Sequence, residues 1–189
     1  MNVLIIPEDH THDHFLLKPI FTSLFATLGR PRANIRICDK PRLRGVQQAT
    51  HLDTLRDIIA SHRMTDIFIL CVNRDGDLNR KSKLNGLETA LAGRRYFLAE
   101  NAWEELETWA LAGIDLPIEF RWTDVRPAIS VKEHFFAPVA RALGIDEGPG
   151  EGRKEIGRQA ARRLQAIRRK CPEDFDNLAN RLQAVLSAV

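Results

Sequence analysis

Ile67-Phe68-Ile69-Leu70-Cys71-Val72-Asn73-Arg74-Asp75-Gly76-Asp77 is the stretch that decides the fold. Residues 67–72 are apolar without interruption and rich in β-branched types, and two carboxylates one residue apart follow at once. Such a run reads as a strand buried on both faces, the kind found in parallel sheets. Open α/β sheets hold their ligands beyond the carboxyl ends of their strands. Asp75 and Asp77 are therefore expected at a C-terminal strand edge, with Gly76 giving the turn its freedom. Two like charges held close raise each other's pKa unless a cation joins them, and a divalent ion with oxygen ligands is the simplest partner. Residues 73–77 are equally ordinary turn formers, so the cation reading depends on carboxylates elsewhere.

The chain opens on another strand-like segment, residues 1–7, apolar apart from Asn2, and Glu8 follows it directly. Asp9-His10-Thr11-His12-Asp13-His14 then reads as a polar cap for a helix with Phe15, Leu16, Ile20, Leu24 and Leu28 on its apolar face. Gly29 and Pro31 end that helix, and Pro19 lies in its first turn or kinks it. Residues 34–38 form a short second strand, 39–45 a basic loop, and 52–61 a helix leading to the strand at Ile67. Leu78-Asn79-Arg80-Lys81-Ser82-Lys83 reads as a basic loop with no apolar anchor. Residues 94–99 are expected as a fourth strand, and 102–113 as a helix with Trp103, Leu106, Trp109 and Ala110 on one side. Strands alternating with helices predict an α/β fold with a mostly parallel central sheet of about four strands flanked by helices.

From residue 117 the character changes. Pro117, Pro127 and Gly148-Pro149-Gly150 punctuate helices expected over 131–143, 151–170 and 173–189, with 118–122 as a weak strand candidate. The expected organisation is an α/β domain over 1–116 and a helical C-terminal part, 117–189, packed on the same domain.

At 189 residues, 44% hydrophobic and 28% charged, the chain suits one domain with a full core, and a net charge of +3 does not by itself select a partner. Cys38, Cys71 and Cys171 lack metal or redox spacing, which points to a reduced, cytoplasmic setting. No basic leader precedes the first strand and no apolar run could span a bilayer, so no membrane partner is expected. The absence of a Gly-rich phosphate loop and of a Ser-His-Asp elbow disfavours an ATPase or an esterase. His10, His12 and His14 could serve a transition metal on an extended segment, but the following residues read as helix and no second ligand group has matching spacing. Arg153, Lys154, Arg158, Arg162, Arg163, Arg168, Arg169 and Lys170 lie on a predicted helix whose buried stripe is Ile156, Ala160, Leu164 and Ile167. Such a face is solvated or holds phosphates.

Glu8 ends one strand and Asp75 and Asp77 end another, so the three acids can meet at one edge. A strand ending in Glu (3–8), a helix opening on the aromatic-Leu pair Phe15-Leu16, and a later apolar strand ending in Asp-x-Asp (67–77) together resemble the TOPRIM domain. That domain occurs in topoisomerases, bacterial primases and OLD-type nucleases, and the resemblance covers roughly the first half of the chain. It implies a TOPRIM-like fold, Mg²⁺ or Mn²⁺ as cofactor, and hydrolysis of phosphodiester bonds. Glu8 would be a metal ligand or general base, and Asp75 and Asp77 metal ligands, the three forming the catalytic set. The family usually carries Gly after the first Glu, where Asp9 stands here. A stricter register would place an acid at Asn73, which can ligate through its carbonyl but adds no charge.

The segment Glu104-Glu105-Leu106-Glu107-Thr108-Trp109-Ala110-Leu111 resembles the Glu-x-Glu-x-Trp helix of small TOPRIM-like proteins linked with ABC-type ATPases in phage defence. Cys171-Pro172-Glu173-Asp174-Phe175-Asp176-Asn177-Leu178 is similar to their closing helix. The resemblance implies Glu105 or Glu107 as a second-metal ligand; on a regular helix the two do not share a face. Arg74, Lys81 and Lys83 beside the acids, with Arg162 and Arg163 on the basic helix, are expected to hold nucleic acid. The expected partners are DNA, an ABC-type ATPase and a second copy of the chain in a homodimer. The alternative is a catalytically silent module of the same fold that binds nucleic acid or the ATPase.

Overall fold

The computed structural model describes residues 1–93 and 95–188. Four strands, β1 (Asn2–Pro7), β2 (Asn34–Ile37), β3 (Ile67–Asn73) and β4 (Tyr96–Ala102), form one sheet in the order β2-β1-β3-β4. Every pairing in it is parallel. The helices are α1 (His10–Thr27), α2 (Val46–Ala49), α3 (Leu52–Ser61), α4 (Arg80–Ala90), α5 (Glu107–Ala112), α6 (Trp122–Val125), α7 (Ala137–Ala142), α8 (Arg153–Ala161), α9 (Leu164–Lys170) and α10 (Asn177–Ser187). Single π-helical turns, Lys132–Phe136 and Pro172–Asp176, lead into α7 and α10. No described helix is long and apolar enough to cross a membrane.

Strand side chains alternate between the two faces. Val3, Ile5, Ile67, Ile69, Cys71 and Leu98 pack into one helical layer with Leu17, Phe21 and Phe25 of α1, Trp109 of α5, Ile167 of α9, and Leu178 and Leu182 of α10. Leu4, Ile6, Phe68, Leu70, Val72 and Phe97 pack into the other with Ala49, Leu55, Ile58 and Leu84 from α2, α3 and α4. Covering both faces is why β1 and β3 read as near-continuous apolar runs. The C-terminal helices complete the same core as α1, so the two halves of the sequence share one interior. The expected stripe of Ile156, Ala160, Leu164 and Ile167 is buried.

The strand order positions the site. From β1 the chain crosses to β2 through α1 on one face, and from β3 it crosses to β4 through α4 on the other. The connections leave β1 and β3 in opposite directions, so a crevice opens beyond the carboxyl ends of these two central strands.

Several local expectations need correction. The basic loop at 78–83 is instead the entry to α4: Leu84 is buried and Leu87 and Leu91 pack beside it, an anchor that lies one turn beyond the basic residues. β4 runs on to Ala102, and α5 begins only at Glu107. Residues 118–122 form no strand; Ile118 is exposed and Trp122 opens α6. The helix expected over 151–170 breaks between α8 and α9 at Arg162 and Arg163. Arg94, the expected start of the fourth strand, and Val189, the expected end of the last helix, lie outside the described residues.

In α1, Asp9 is the N-cap: its Oδ1 accepts from the Thr11 N–H at 2.7 Å, and Asp13 Oδ2 accepts from the Asp9 N–H at 2.9 Å. Gly29, at φ 79°, ends it in a Schellman arrangement, with the Arg30 N–H donating to the Phe25 carbonyl at 2.8 Å. Pro19 sits mid-helix and supplies no N–H to the Phe15 carbonyl. That carbonyl faces α8 at Gly157, where a Cβ would come within 2.5 Å of it.

Candidate active site at the β1–β3 edge

Glu8 leaves the end of β1 and accepts from the Asn73 N–H at the end of β3 through Oε2, at 2.9 Å. It therefore joins the two strands at the mouth of the crevice. The next residues of β3 form a tight turn. Asp75 and Gly76 have φ 49° and 69°, and the Asp77 N–H donates to the Arg74 carbonyl at 2.9 Å. Two successive positive φ values inside such a closed turn are the type I′ pattern, which Asp-Gly favours.

Glu104 clamps this turn from the neighbouring loop. Its carbonyl accepts from the N–H groups of Arg74 (2.8 Å) and Asp75 (3.2 Å). Its carboxylate accepts from the Gly76 N–H at 2.7 Å and pairs with the Arg74 guanidinium. Glu104 is itself buried at φ 69°, a conformation a non-glycine residue keeps only where its surroundings compel it. Here the compulsion is four hydrogen-bonded contacts to residues 74–76. Its positioning role has no local signal, because Glu104 is one of three nearby acids without distinguishing spacing.

The clamp also decides where Glu105 and Glu107 point. Glu105 precedes α5, so the helical spacing rule does not apply to the pair. Glu105 Oε2 accepts from the Lys132 N–H at 2.5 Å, and Glu107 Oε1 accepts from Arg153 Nε at 3.0 Å. Burial raises the Glu105 carboxyl to about 7, with Glu107, Glu133 and Asp75 adding repulsion. Burial also raises Glu8, against the Asn73 hydrogen bond, and Asp75 adds to the rise. Asp75 is exposed, yet its carboxyl is raised by partial desolvation, opposed by Arg80 and reinforced by Glu107. Asp13, not foreseen as a member, is buried and raised well above the usual range by desolvation, with Glu107, Asp9 and Glu8 contributing. Glu8, Asp13, Asp75, Glu105 and Glu107 thus form one mutually repelling acidic group.

Asp77 is not brought into this group. It accepts from Lys83 Nζ at 2.8 Å and from the Asn79 N–H at 2.9 Å, and these bonds lower its pKa. The Asn73 side chain accepts from the Leu106 N–H at 3.0 Å and anchors the loop before α5.

Most of the cations expected to hold nucleic acid are engaged by protein. Arg74 pairs with Glu104 and lies 3.8 Å above the Trp103 ring centre. Lys81 pairs with buried Glu100 at 2.5 Å, and Lys83 with Asp77. Arg163 meets Asp115 at 2.6 Å, while Arg162 is exposed at the α8–α9 break. His10 and His14 stack on one face of α1, ring centres 5.3 Å apart, while His12 lies on another face. His10 Nδ1 faces the Cys38 carbonyl (3.1 Å), His12 Nδ1 faces Asp9 (3.2 Å), and His14 Nδ1 faces the His10 carbonyl (2.7 Å). They lie on α1, whose geometry turns alternate residues away from one another.

An all-carboxylate set suits a hard divalent cation such as Mg²⁺ or Mn²⁺. Among the described residues, however, no three His, Cys, Asp or Glu side chains stand close enough to hold a metal ion as they lie. No protein-family model, curated protein or solved structure matches the chain.

The Glu105 shift gives a stability prediction. Between about 4.5 and about 7 the folded state keeps a proton that the unfolded state has lost. The stabilising contribution is therefore complete below about pH 4.5 and disappears as pH rises through about 7. Glu105→Gln is expected to flatten this slope and to gain on the order of 1 kcal/mol relative to wild type at pH 8, after discounting for solvent screening. Urea melts at pH 5, 6, 7 and 8 test this; parallel profiles for the two proteins would refute it.

Proposed function

We propose that the protein is a divalent-metal-dependent nuclease of TOPRIM type, acting in the cytoplasm in phage defence or DNA processing. The observation that supports it best is the meeting of Glu8 and Asp75 at the β1–β3 crevice, with Glu105 and Glu107 beside them. Mg²⁺ or Mn²⁺ would be held by Glu8 and Asp75, with Glu105 or Glu107 completing the set, and would supply charge stabilisation at a phosphoryl group and a water of lowered pKa. Where Glu107 is the ligand, Glu105, raised to about 7 by burial, is left to take up or release a proton near neutrality. Glu104 fixes the backbone of the Asp75 turn, while the carboxylate side chains must still draw together to enclose an ion.

Plasmid and single-stranded oligonucleotide cleavage with Mn²⁺ tests the proposal. Asp75→Ala is expected to lose at least about 100-fold in rate, the scale seen when a charge-stabilising group is removed. If wild type and Asp75→Ala are equally inert and wild type does not bind Mn²⁺, the enzyme reading fails.

A catalytically silent module is the second reading. It is favoured by the uncharged Asn73, whose carbonyl is bound to Leu106, and by the Asp77–Lys83 pair. It predicts salt-sensitive binding of DNA or of an ABC-type ATPase without metal.

A further inference from the structure

Arg80, the first residue of α4, is 8% exposed. Its Nε has no hydrogen-bond partner among the described residues. Its remaining contacts are long: Nη2 lies 3.5 Å from the Arg74 carbonyl and Nη1 3.8 Å from Asp77, which Lys83 already holds at 2.8 Å. Arg74, Lys81 and Lys83 each have a close carboxylate partner. Arg74 Nε is also unpartnered, but Arg74 is held by Glu104, whereas the Arg80 guanidinium makes no polar contact shorter than 3.5 Å among the described residues; leaving a buried guanidinium so costs stability. Its charge is felt by Glu8 and Asp75, both of which it draws toward the ionised form, so the guanidinium lies within electrostatic reach of both acids.

We propose that Arg80 is an anion-binding residue whose guanidinium takes a phosphoryl oxygen of a phosphate ester laid across the carboxyl ends of β1 and β3. The planar fork of donors suits phosphate oxygens. A ligand carboxylate would face the same repulsion from the acidic group with fewer oxygens to offer. The inference deepens the nuclease reading by assigning the residue that seats the scissile phosphate, and it rests on that reading for the identity of the ester.

The test measures three things separately. A fluorescein-labelled single-stranded 12-mer is titrated with Ca²⁺ present over a series of salt concentrations, and Mn²⁺ alone is titrated by electron paramagnetic resonance. Arg80→Gln is expected to weaken oligonucleotide binding at least about 10-fold and to reduce the salt slope by about 1. Mn²⁺ binding should hold or tighten, since a nearby positive charge is gone. Arg80→Lys should recover only part of the oligonucleotide affinity. In wild type, where folding is not in question, the Arg80 Nε–Hε NMR resonance should shift when the 12-mer is added. Unchanged oligonucleotide affinity and slope in Arg80→Gln, or an Arg80 resonance that does not move, overturns the proposal and leaves Arg80 as a counter-charge for the acids. If wild type ignores Mn²⁺ yet the Arg80 resonance responds to the 12-mer in chelator, the nuclease reading fails while the anion site stands.

Discussion

Arg153→Met is expected to lower the unfolding free energy by about 4 kcal/mol, the usual cost of stranding one member of a buried ion pair. Arg153 is 1% exposed and Glu107 5%. The guanidinium donates from Nε to Glu107 at 3.0 Å, and from Nη1 to the Gly150 carbonyl and to Glu151, each at 3.0 Å. It also lies 5.0 Å from the Phe136 ring centre. Methionine fills similar space but leaves the Glu107 charge facing Asp13, Glu105 and Asp75, which it already repels. For a chain of this length that corresponds to a fall in Tm of roughly 10 °C. Removing both charges in Arg153→Met/Glu107→Gln should recover most of the loss, because an apolar or neutral replacement carries no unpaired charge. Thermal melts of the two single variants and the double variant close the cycle. A cost below about 1 kcal/mol for Arg153→Met would show that the Glu107 carboxylate reaches water and that α8 is not pinned to α5 by this pair.

Gly157→Ala is expected to destabilise by about 3 kcal/mol, the upper range for overpacking. In an unconstrained helix interior the same change stabilises by up to about 1 kcal/mol. The sign reverses because a Cβ at 157 would stand 2.5 Å from the Phe15 carbonyl oxygen and 3.2 Å from Leu16 Cα. Both obstacles are backbone and cannot rotate away. Gly86→Ala in α4 is the control: it meets nothing within 4 Å and should gain stability. Equal shifts in denaturant midpoint for the two variants would refute the close α1–α8 contact. Since α1 begins beside Glu8 and carries Asp13, loosening this contact should also disturb the acidic edge.

The members of the site differ in how legible they were. Glu8 and Asp75 could be read because each follows an apolar run long enough to name a buried strand, and a strand's end is a place in the fold. Asp77 has the same sequence credentials, but the type I′ turn directs its carboxylate to Lys83. On a regular helix Glu105 and Glu107 would not share a face, so only one of them is expected at a metal. They escape that limit because Glu104 breaks the helix before it starts, through bonds to residues 28 to 30 positions away. Asp13 read as part of a helix cap, which it is, and only the approach of α5 and β1 makes it part of the acidic group. Lys81 read as a phosphate holder until Glu100, itself buried on β4, engaged it.

The sequence by itself determined the α/β class, the two central strands, the buried stripe of α8 and α9, part of that of α1 (Leu16, Ile20, Leu24 and Leu28, with Phe15 only half-buried and Leu17, Phe21 and Phe25 not foreseen), and the two acids that follow β1 and β3. These follow from the period of apolar residues and from where it stops, which are local properties. Tertiary structure alone decided which charges face one another: Glu104 on the Asp75 turn, Arg153 on Glu107, Lys81 on Glu100, and Arg80 left with unused donors. Charge pairing is settled by which elements the fold brings within a few ångströms, and those partners lie tens of residues apart in the chain. A pattern of hydrophobicity carries no record of them.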